Sequence, residues 1–316
     1  MPNSNEPVWG GGAGGMAQLL FFQDNPPDDA ASGGRGTAFN AQLLKWVGNK
    51  QRHAPAIISR FPRSYRRYLE PFLGAGGMLG VLAPRKAIAS DANSPLMEIW
   101  RCLRESPDVL KEWYRERWEL GRTLGGSKAY RLILDRFNSK PNGADLLYLS
   151  RACYGGVVRF RKADGGMSTP VGAHSPIAPR AFSERVDAWR GRVTGVEFVT
   201  CDYRETIERA GAGDIVYCDP PYQDSQTILY GAQEFNLRDL FAALERAKMR
   251  GAYVVLSIDG RKRSGRHRVE IKPPQGLFER EEFIGIGRSM LKRFQMEGQD
   301  LADHEVSDRL LLSYQP

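Results

Sequence analysis

Asp219, Pro220, Pro221 and Tyr222 follow IVYC (215–218), an apolar run that reads as a buried strand. A carboxylate and a rigid turn therefore stand at a strand tip, the edge of a parallel sheet where ligands bind. The two prolines lack backbone N–H groups and have a fixed φ. The tip thus offers acceptors and the aromatic face of Tyr222, a set that suits a planar amine. A nucleobase amino group has its lone pair delocalised into the ring. Hydrogen bonds to the Asp219 carboxylate and the Pro220 carbonyl would draw that nitrogen toward tetrahedral geometry and free the lone pair for attack, with preorganised acceptors facing the developing positive charge. Tyr222 could stack on the ring. A base in a duplex would first have to be flipped out, at a few kcal/mol of unstacking. The plainer reading of the same residues is a strand-ending Asp-Pro turn.

A second cluster lies upstream. EPFLGAGG (70–77) runs off a strand into Gly74, Gly76 and Gly77, where the backbone can turn tightly and lie against a ligand. The spacing is not G-x-G-x-x-G and no G-K-[ST] follows, which disfavours a phosphate loop. Asp91 ends the next strand, where nucleotide-binding sheets place an acid for ribose hydroxyls. Together these describe a nucleoside pocket without a pyrophosphate site. The alternative is a packing turn with Asp91 as an exposed cap for a helix starting near Pro95.

The elements that must position these residues read as α/β. Strands are expected at YLEPF (68–72), AIASD (87–91), VEFVTCD (196–202), IVYCD (215–219) and YVVLSID (253–259), with helical stretches between several of them. Short apolar strands alternating with helices imply a largely parallel sheet covered on both faces. Between Asn93 and about Gly195 the alternation stops. Helices are expected over 95–120, 127–137 and 144–153, followed by a glycine-rich hairpin. The chain divides accordingly into a Gly/Pro-rich disordered lead (1–36), a catalytic α/β domain (37–94 and 196–316) and an inserted, mostly helical subdomain with a β-hairpin (95–195). Met1 and Met16 are both candidate starts.

The 316 residues, 41% of them hydrophobic, can bury a sizeable core. Four scattered cysteines and four histidines form no disulfide framework or zinc spacing, so buried structural thiols and no metal are expected. No apolar run approaches the roughly 18 residues of a membrane span and no signal peptide is apparent, which leads to an expectation of a soluble cytoplasmic protein without membrane partners. The net charge is +8; residues 1–36 carry Arg35 against Glu6, Asp24, Asp28 and Asp29, a net −3 that leaves +11 for the rest. That excess points to a polyanion. In VVRFRKADGG (157–166), Val158 and Phe160 alternate with Arg159 and Arg161 before Lys162 and an Asp164-Gly165 turn, placing the arginines on one face of a hairpin that could enter a major groove. RKRSGRHR (261–268) supplies Arg261, Lys262 and Arg263 in a loop suited to phosphates. Arg60, Arg63, Arg66 and Arg67 read as surface charge.

In order, KWVGNK (45–50), EPFLGAGG (70–77), DAN (91–93), CDYRE (201–205) and DPPY (219–222) resemble the Dam-type DNA adenine methyltransferases, over nearly the whole span from Leu43 to Tyr314. The resemblance implies a Rossmann-like S-adenosylmethionine-dependent methyltransferase sheet and an inserted DNA-recognition subdomain. It implies that Lys45, Trp46, Lys50, Glu70 and Phe72 lie beside S-adenosylmethionine, with Gly74, Gly76 and Gly77 against its methionine part, Asp91 at its ribose and Asp202 at its adenine. Asp219, Pro220, Pro221 and Tyr222 become the catalytic tip. Double-stranded DNA becomes the partner, in a bacterial or phage setting, with a cognate restriction endonuclease left open. The hairpin's arginines and Cys153 depart from the commonest forms, so no recognition sequence is implied. Related cytosine-amine enzymes tend to carry Ser or Thr before P-P-Y, and RNA and glutamine enzymes Asn; Asp219 therefore favours adenine in DNA over an RNA or cytosine substrate. A DNA-binding regulator on a vestigial methyltransferase fold is the reading from another class.

Overall fold

The computed structural model describes residues 39–161, 163–221, 235–259, 271–287 and 306–315. The expected disordered lead, Lys162, Tyr222 and the basic loop with Arg261, Lys262 and Arg263 lie outside the described residues.

Among the described residues the chain forms a seven-stranded sheet. In chain order the elements are α1 (Ala54–Ile58), β1 (Tyr68–Glu70), α2 (Gly77–Leu82), β2 (Ala87–Asp91), α3 (Ser94–Glu105), α4 (Pro107–Leu124), α5 (Gly126–Ser139), α6 (Gly143–Ala152), α7 (Pro179–Arg190), β3 (Val196–Thr200), α8 (Tyr203–Glu208), β4 (Ile215–Cys218), α9 (Leu237–Met249), β5 (Tyr253–Asp259), β6 (Arg280–Gly287) and β7 (Val306–Leu312). The strand order is β3-β2-β1-β4-β5-β7-β6. The first five strands are mutually parallel; β7 runs antiparallel between β5 and β6. The α/β sheet is thus as expected, while β6 and β7 were not foreseen.

Side-chain alternation divides the core. On β4, Ile215 and Tyr217 face the cluster that contains α1, α2 and α3, and Val216 and Cys218 face the one built on α8 and α9. Strands buried on both faces read as continuous apolar runs because both alternating sets are covered. Three strands end earlier than expected. Pro71 has no N–H to extend β1, Asp202 leaves the extended run to cap α8, and Pro220 closes β4 at Cys218.

The expected helix over 95–120 is two helices. Ser106 leaves the helical region (φ −146°, ψ 62°) and Pro107 starts α4, where its missing N–H costs nothing. Among the inserted helices α6 is buried around its whole circumference, the position of a central helix. Its Asp145 accepts from Arg117 Nε at 2.8 Å, Arg136 Nε at 2.7 Å and the Asn142 amide at 2.9 Å, so a fully buried carboxylate is balanced where it lies. α3, expected within the insertion, packs on the sheet: the Trp100 ring stacks on Phe198 of β3 at 5.8 Å and meets Trp189 of α7 edge-on at 5.0 Å.

The entry segment is held by side chains from distant elements. Gln51 donates to the Phe39 carbonyl, Trp189 to Ala41, Arg185 to Gln42, and buried Arg151 of α6 to both Gln42 and Leu43. An irregular strap thereby has its carbonyls satisfied without a sheet. Arg66, exposed as expected of surface charge, and the half-buried Arg67 also clamp the fully buried Asp214 at 2.8 and 2.7 Å. All four cysteines are free, with Cys153 and Cys218 buried. Among the described residues no helix is long and apolar enough to cross a membrane, and no group of His, Cys, Asp or Glu is arranged to hold a metal.

Candidate active site

The C-terminal ends of β1, β2 and β4 open on a cavity of about 700 Å³. Its base is the glycine turn with the end of the strap (Trp46 to Lys50). Phe72, Tyr203 and Phe235 form an aromatic wall, with Phe72 stacked on Tyr203 at 5.1 Å and edge-on to Phe235 at 5.9 Å. Asp219, Pro220 and Pro221 border it, and Phe160 with Asp164 to Gly166 of the hairpin tip overhang it.

At the tip, the Lys50 ammonium lies 2.9 Å from Asp219 Oδ1 and 3.4 Å from Asp308 Oδ2. Lys50, expected at the cofactor, therefore lines the cavity with its charge directed at the Asp219 carboxylate. Its backbone is fixed by a single 3-10 turn, Lys50–Arg52, in which the Asn49 side chain accepts from the Gln51 N–H at 2.9 Å. Sequence reading passed over Asn49 and Asp308. The first stood inside the quoted KWVGNK; the second has no local signature.

Glu70 lines the cavity, and its carboxyl accepts from the Tyr68 hydroxyl at 2.9 Å, both side chains lying on one face of β1. Burial pushes Glu70 up to about 8 against the pull of the Tyr68 hydrogen bond, and the charge of Asp219 adds to the rise. The carboxyl is thus mostly protonated at neutral pH. Because the folded-state value lies above the ordinary 4.5, its contribution to stability is complete below pH about 4.5 and is lost as pH rises through about 8. Wild-type melting temperature should therefore fall from pH 6 to 9 more steeply than that of Glu70→Gln, which keeps an acceptor for Tyr68 but does not titrate. Parallel melting profiles would reject this assignment.

Asp91 accepts from the Gly74 N–H at 3.1 Å and from the Asn93 N–H at 3.0 Å, tying the glycine turn to the end of β2. Burial raises its carboxyl above the ordinary value despite these bonds. The cap of α3 is Asn93, accepting from the Leu96 N–H at 3.1 Å. Asp202 caps α8 in a capping box with Glu205 and also lines the cavity. Burial works to raise it, and hydrogen bonds from Arg204 outweigh that and hold it below the ordinary carboxylate value.

The glycines divide by role. Gly74 (φ +49°) and Gly77 line the cavity; a Cβ on Gly74 would stand 3.5 Å from the Trp46 indole nitrogen, and one on Gly77 would strike Asn49 Oδ1. Gly76 (φ +64°), expected against the ligand, is outside the lining: its Cβ would meet the Trp100 ring at 2.7 Å, so its smallness serves core packing. Lys45 is likewise outside the lining. Its side chain is exposed and its Cβ backs onto Gly156.

The hairpin follows the expected alternation, with Val158 buried and Arg159 and Arg161 exposed. It is held by isolated bridges, Cys153 to Val171 and Phe160 to Met167, rather than a continuous ladder. The Asp164 carboxylate accepts twice from Arg161, at 2.8 Å each, which fixes that guanidinium at the turn.

Residues 46–278 match the family described as D12 class N6 adenine-specific DNA methyltransferase. A type II methyltransferase of Lactococcus lactis subsp. cremoris is 27% identical over 234 residues, covering 67% of this chain and 79% of the relative. The DNA adenine methylase of Vibrio cholerae is 27% identical over 227 residues, covering 68% and 79%. The DNA N-6-adenine-methyltransferase of Escherichia phage P1 is 26% identical over 232 residues, covering 70% of this chain and 30% of that longer protein.

Proposed function

Because the chain belongs to the D12 class of N6 adenine-specific DNA methyltransferases, we propose that it methylates the exocyclic amine of a flipped adenine at a specific site in duplex DNA, with S-adenosylmethionine as methyl donor. The observation that carries this reading is the position of Asp219, at the tip of β4 and on a cavity overhung by a hairpin with outward arginines.

The residues present fit that cofactor. Gly74 leaves a cradle that a Cβ would fill, Asp91 and Asp202 supply carboxylates for hydroxyl and amine donors, and Trp46, Phe72 and Tyr203 supply flat apolar walls for a purine. S-adenosylmethionine, when bound, supplies an electrophilic methyl group. The chain's own residues do the rest. Asp219 and the Pro220 carbonyl accept the two amine hydrogens and favour a tetrahedral nitrogen, while Pro221 keeps a competing donor away from the tip. The surplus proton on the methylated nitrogen leaves through these acceptors. Tyr222 is assigned the stacking face. The helices α4 to α6 and the hairpin are assigned to recognition, the sheet with its flanking helices to catalysis, and Arg261, Lys262 and Arg263 with Lys162 to DNA contacts. The setting is the cytoplasm of a bacterium, for a host or phage gene; a restriction endonuclease of the same specificity is the partner suggested by the type II relative.

The test is sequencing with base-modification detection on plasmid DNA from a methylation-deficient host that expresses the chain. Methylated adenines in one motif are expected. A blank map with folding confirmed would sink the reading in favour of a binding-only regulator, and label in RNA or on cytosine would redirect it. Arg159→Ala should relax site choice, costing about 1–3 kcal/mol at one base pair if the guanidinium reads guanine. A uniform loss across sequences, measured by competition among site variants, would make Arg159 a phosphate contact instead.

A further inference from the structure

Lys50 brings a positive charge to the place where positive charge must develop. When the methyl group moves, its bond to sulfur breaks, its bond to the amine nitrogen forms, and the charge passes from sulfonium to nitrogen before a proton leaves. A carboxylate stabilises that nitrogen. With an ammonium 2.9 Å away, Asp219 and Lys50 alone amount to a neutral pair. The Lys50 and Asp219 side chains are only 8% and 16% exposed, so water screens them poorly. Glu70, the nearby buried acid, cannot restore the balance at neutral pH because burial holds it mostly protonated.

Asp308 supplies the missing charge. It lies on β7, opposite Asp259 of β5 and Ile284 of β6, and its side chain is 4% exposed with Oδ2 at 3.4 Å from the same ammonium. The three groups come from residues 50, 219 and 308, and the last lies beyond the stretch that matches the family. We infer that Asp308 is a positioning residue that acts through Lys50: by engaging the same ammonium as Asp219 it offsets the charge of Lys50, so that Lys50, Asp219 and Asp308 together carry −1, and it fixes where the ammonium sits beside Asp219.

The inference rests on the methyltransferase reading, and both are tested by steady-state kinetics of methyl transfer to DNA for wild type, Asp308→Asn, Asp308→Glu, Lys50→Met and the Lys50→Met/Asp308→Asn pair, with folding followed by circular dichroism. Asp308→Asn should lower kcat about 10- to 100-fold while KM for S-adenosylmethionine and DNA stays within a few fold, and Asp308→Glu should recover part of the loss. Once Lys50 is gone Asp308 has no charge to balance, so the double variant should be at least as active as Lys50→Met. That comparison stands even if Asp308→Asn fails to fold. A folded Asp308→Asn with wild-type kcat, or a folded double variant more than about tenfold below Lys50→Met, would overturn the inference alone. An inactive wild type would overturn the proposed function and this inference with it.

Discussion

Asp219→Ala should reduce methyl transfer by about 10³-fold or more while DNA binding survives. Loss of a single preorganised group facing developing charge costs about 10²- to 10³-fold in comparable sites, and here the same carboxylate also holds Lys50 at 2.9 Å. Removing it takes away an acceptor and leaves the ammonium facing the amine, so the two effects act in one direction. Asp219→Asn keeps the shape yet turns one acceptor into a donor, and should be nearly as impaired. The measurement is single-turnover methyl incorporation, with DNA affinity determined in parallel. Turnover within tenfold of wild type would remove Asp219 from the chemistry. Joint loss of binding and turnover would make it a structural residue.

A large effect on stability is expected at Gly76. Its φ of +64° disfavours any side chain, and a Cβ would lie 2.7 Å from the buried Trp100 ring, which Phe198 and Trp189 already hold in place. Left-handed backbone costs a non-glycine residue about 1 kcal/mol, and overpacking a core adds about 1–3 kcal/mol. Gly76→Ala should then lower the melting temperature by roughly 5–10 °C. Gly126→Ala is the control: at the first position of α5 a Cβ meets nothing within 4 Å, so stability should hold or rise slightly. Equal melting temperatures for the two variants would show that the Trp100 contact relaxes freely.

The strands that carry the site were legible because each is a short apolar run bounded by turn residues, and β2 and β5 match the expected limits to the residue. The antiparallel pair was not. Arg280–Gly287 begins with three charged residues, and Val306–Leu312 interrupts its apolar pattern with Asp308 and Arg309. Their pairing partners are distant in sequence, and β propensity depends on such neighbours. The break before α4 was visible in Pro107 and was overlooked. Within the site, residue types pointed to Asp219, Asp91 and Gly74, but partners had no local cue. Nothing in the spacing tells that Lys50 meets Asp219, that Asp91 staples the glycine turn, or that Gly76 answers to Trp100. These are facts of packing between segments about 20 to 170 residues apart, and a linear pattern encodes periodicity rather than distance.

The strap at residues 39–44 also sets an order of events during synthesis. Its donors Arg151 and Trp189 lie 109 and 148 residues further along. At about 5–20 residues per second, the strap waits roughly 5–30 s for the side chains that hold its carbonyls. Asp308, the second partner of Lys50, follows it by 258 residues. A chain translated only through β5 can therefore pair its central strands, yet it still lacks the second carboxylate that engages Lys50.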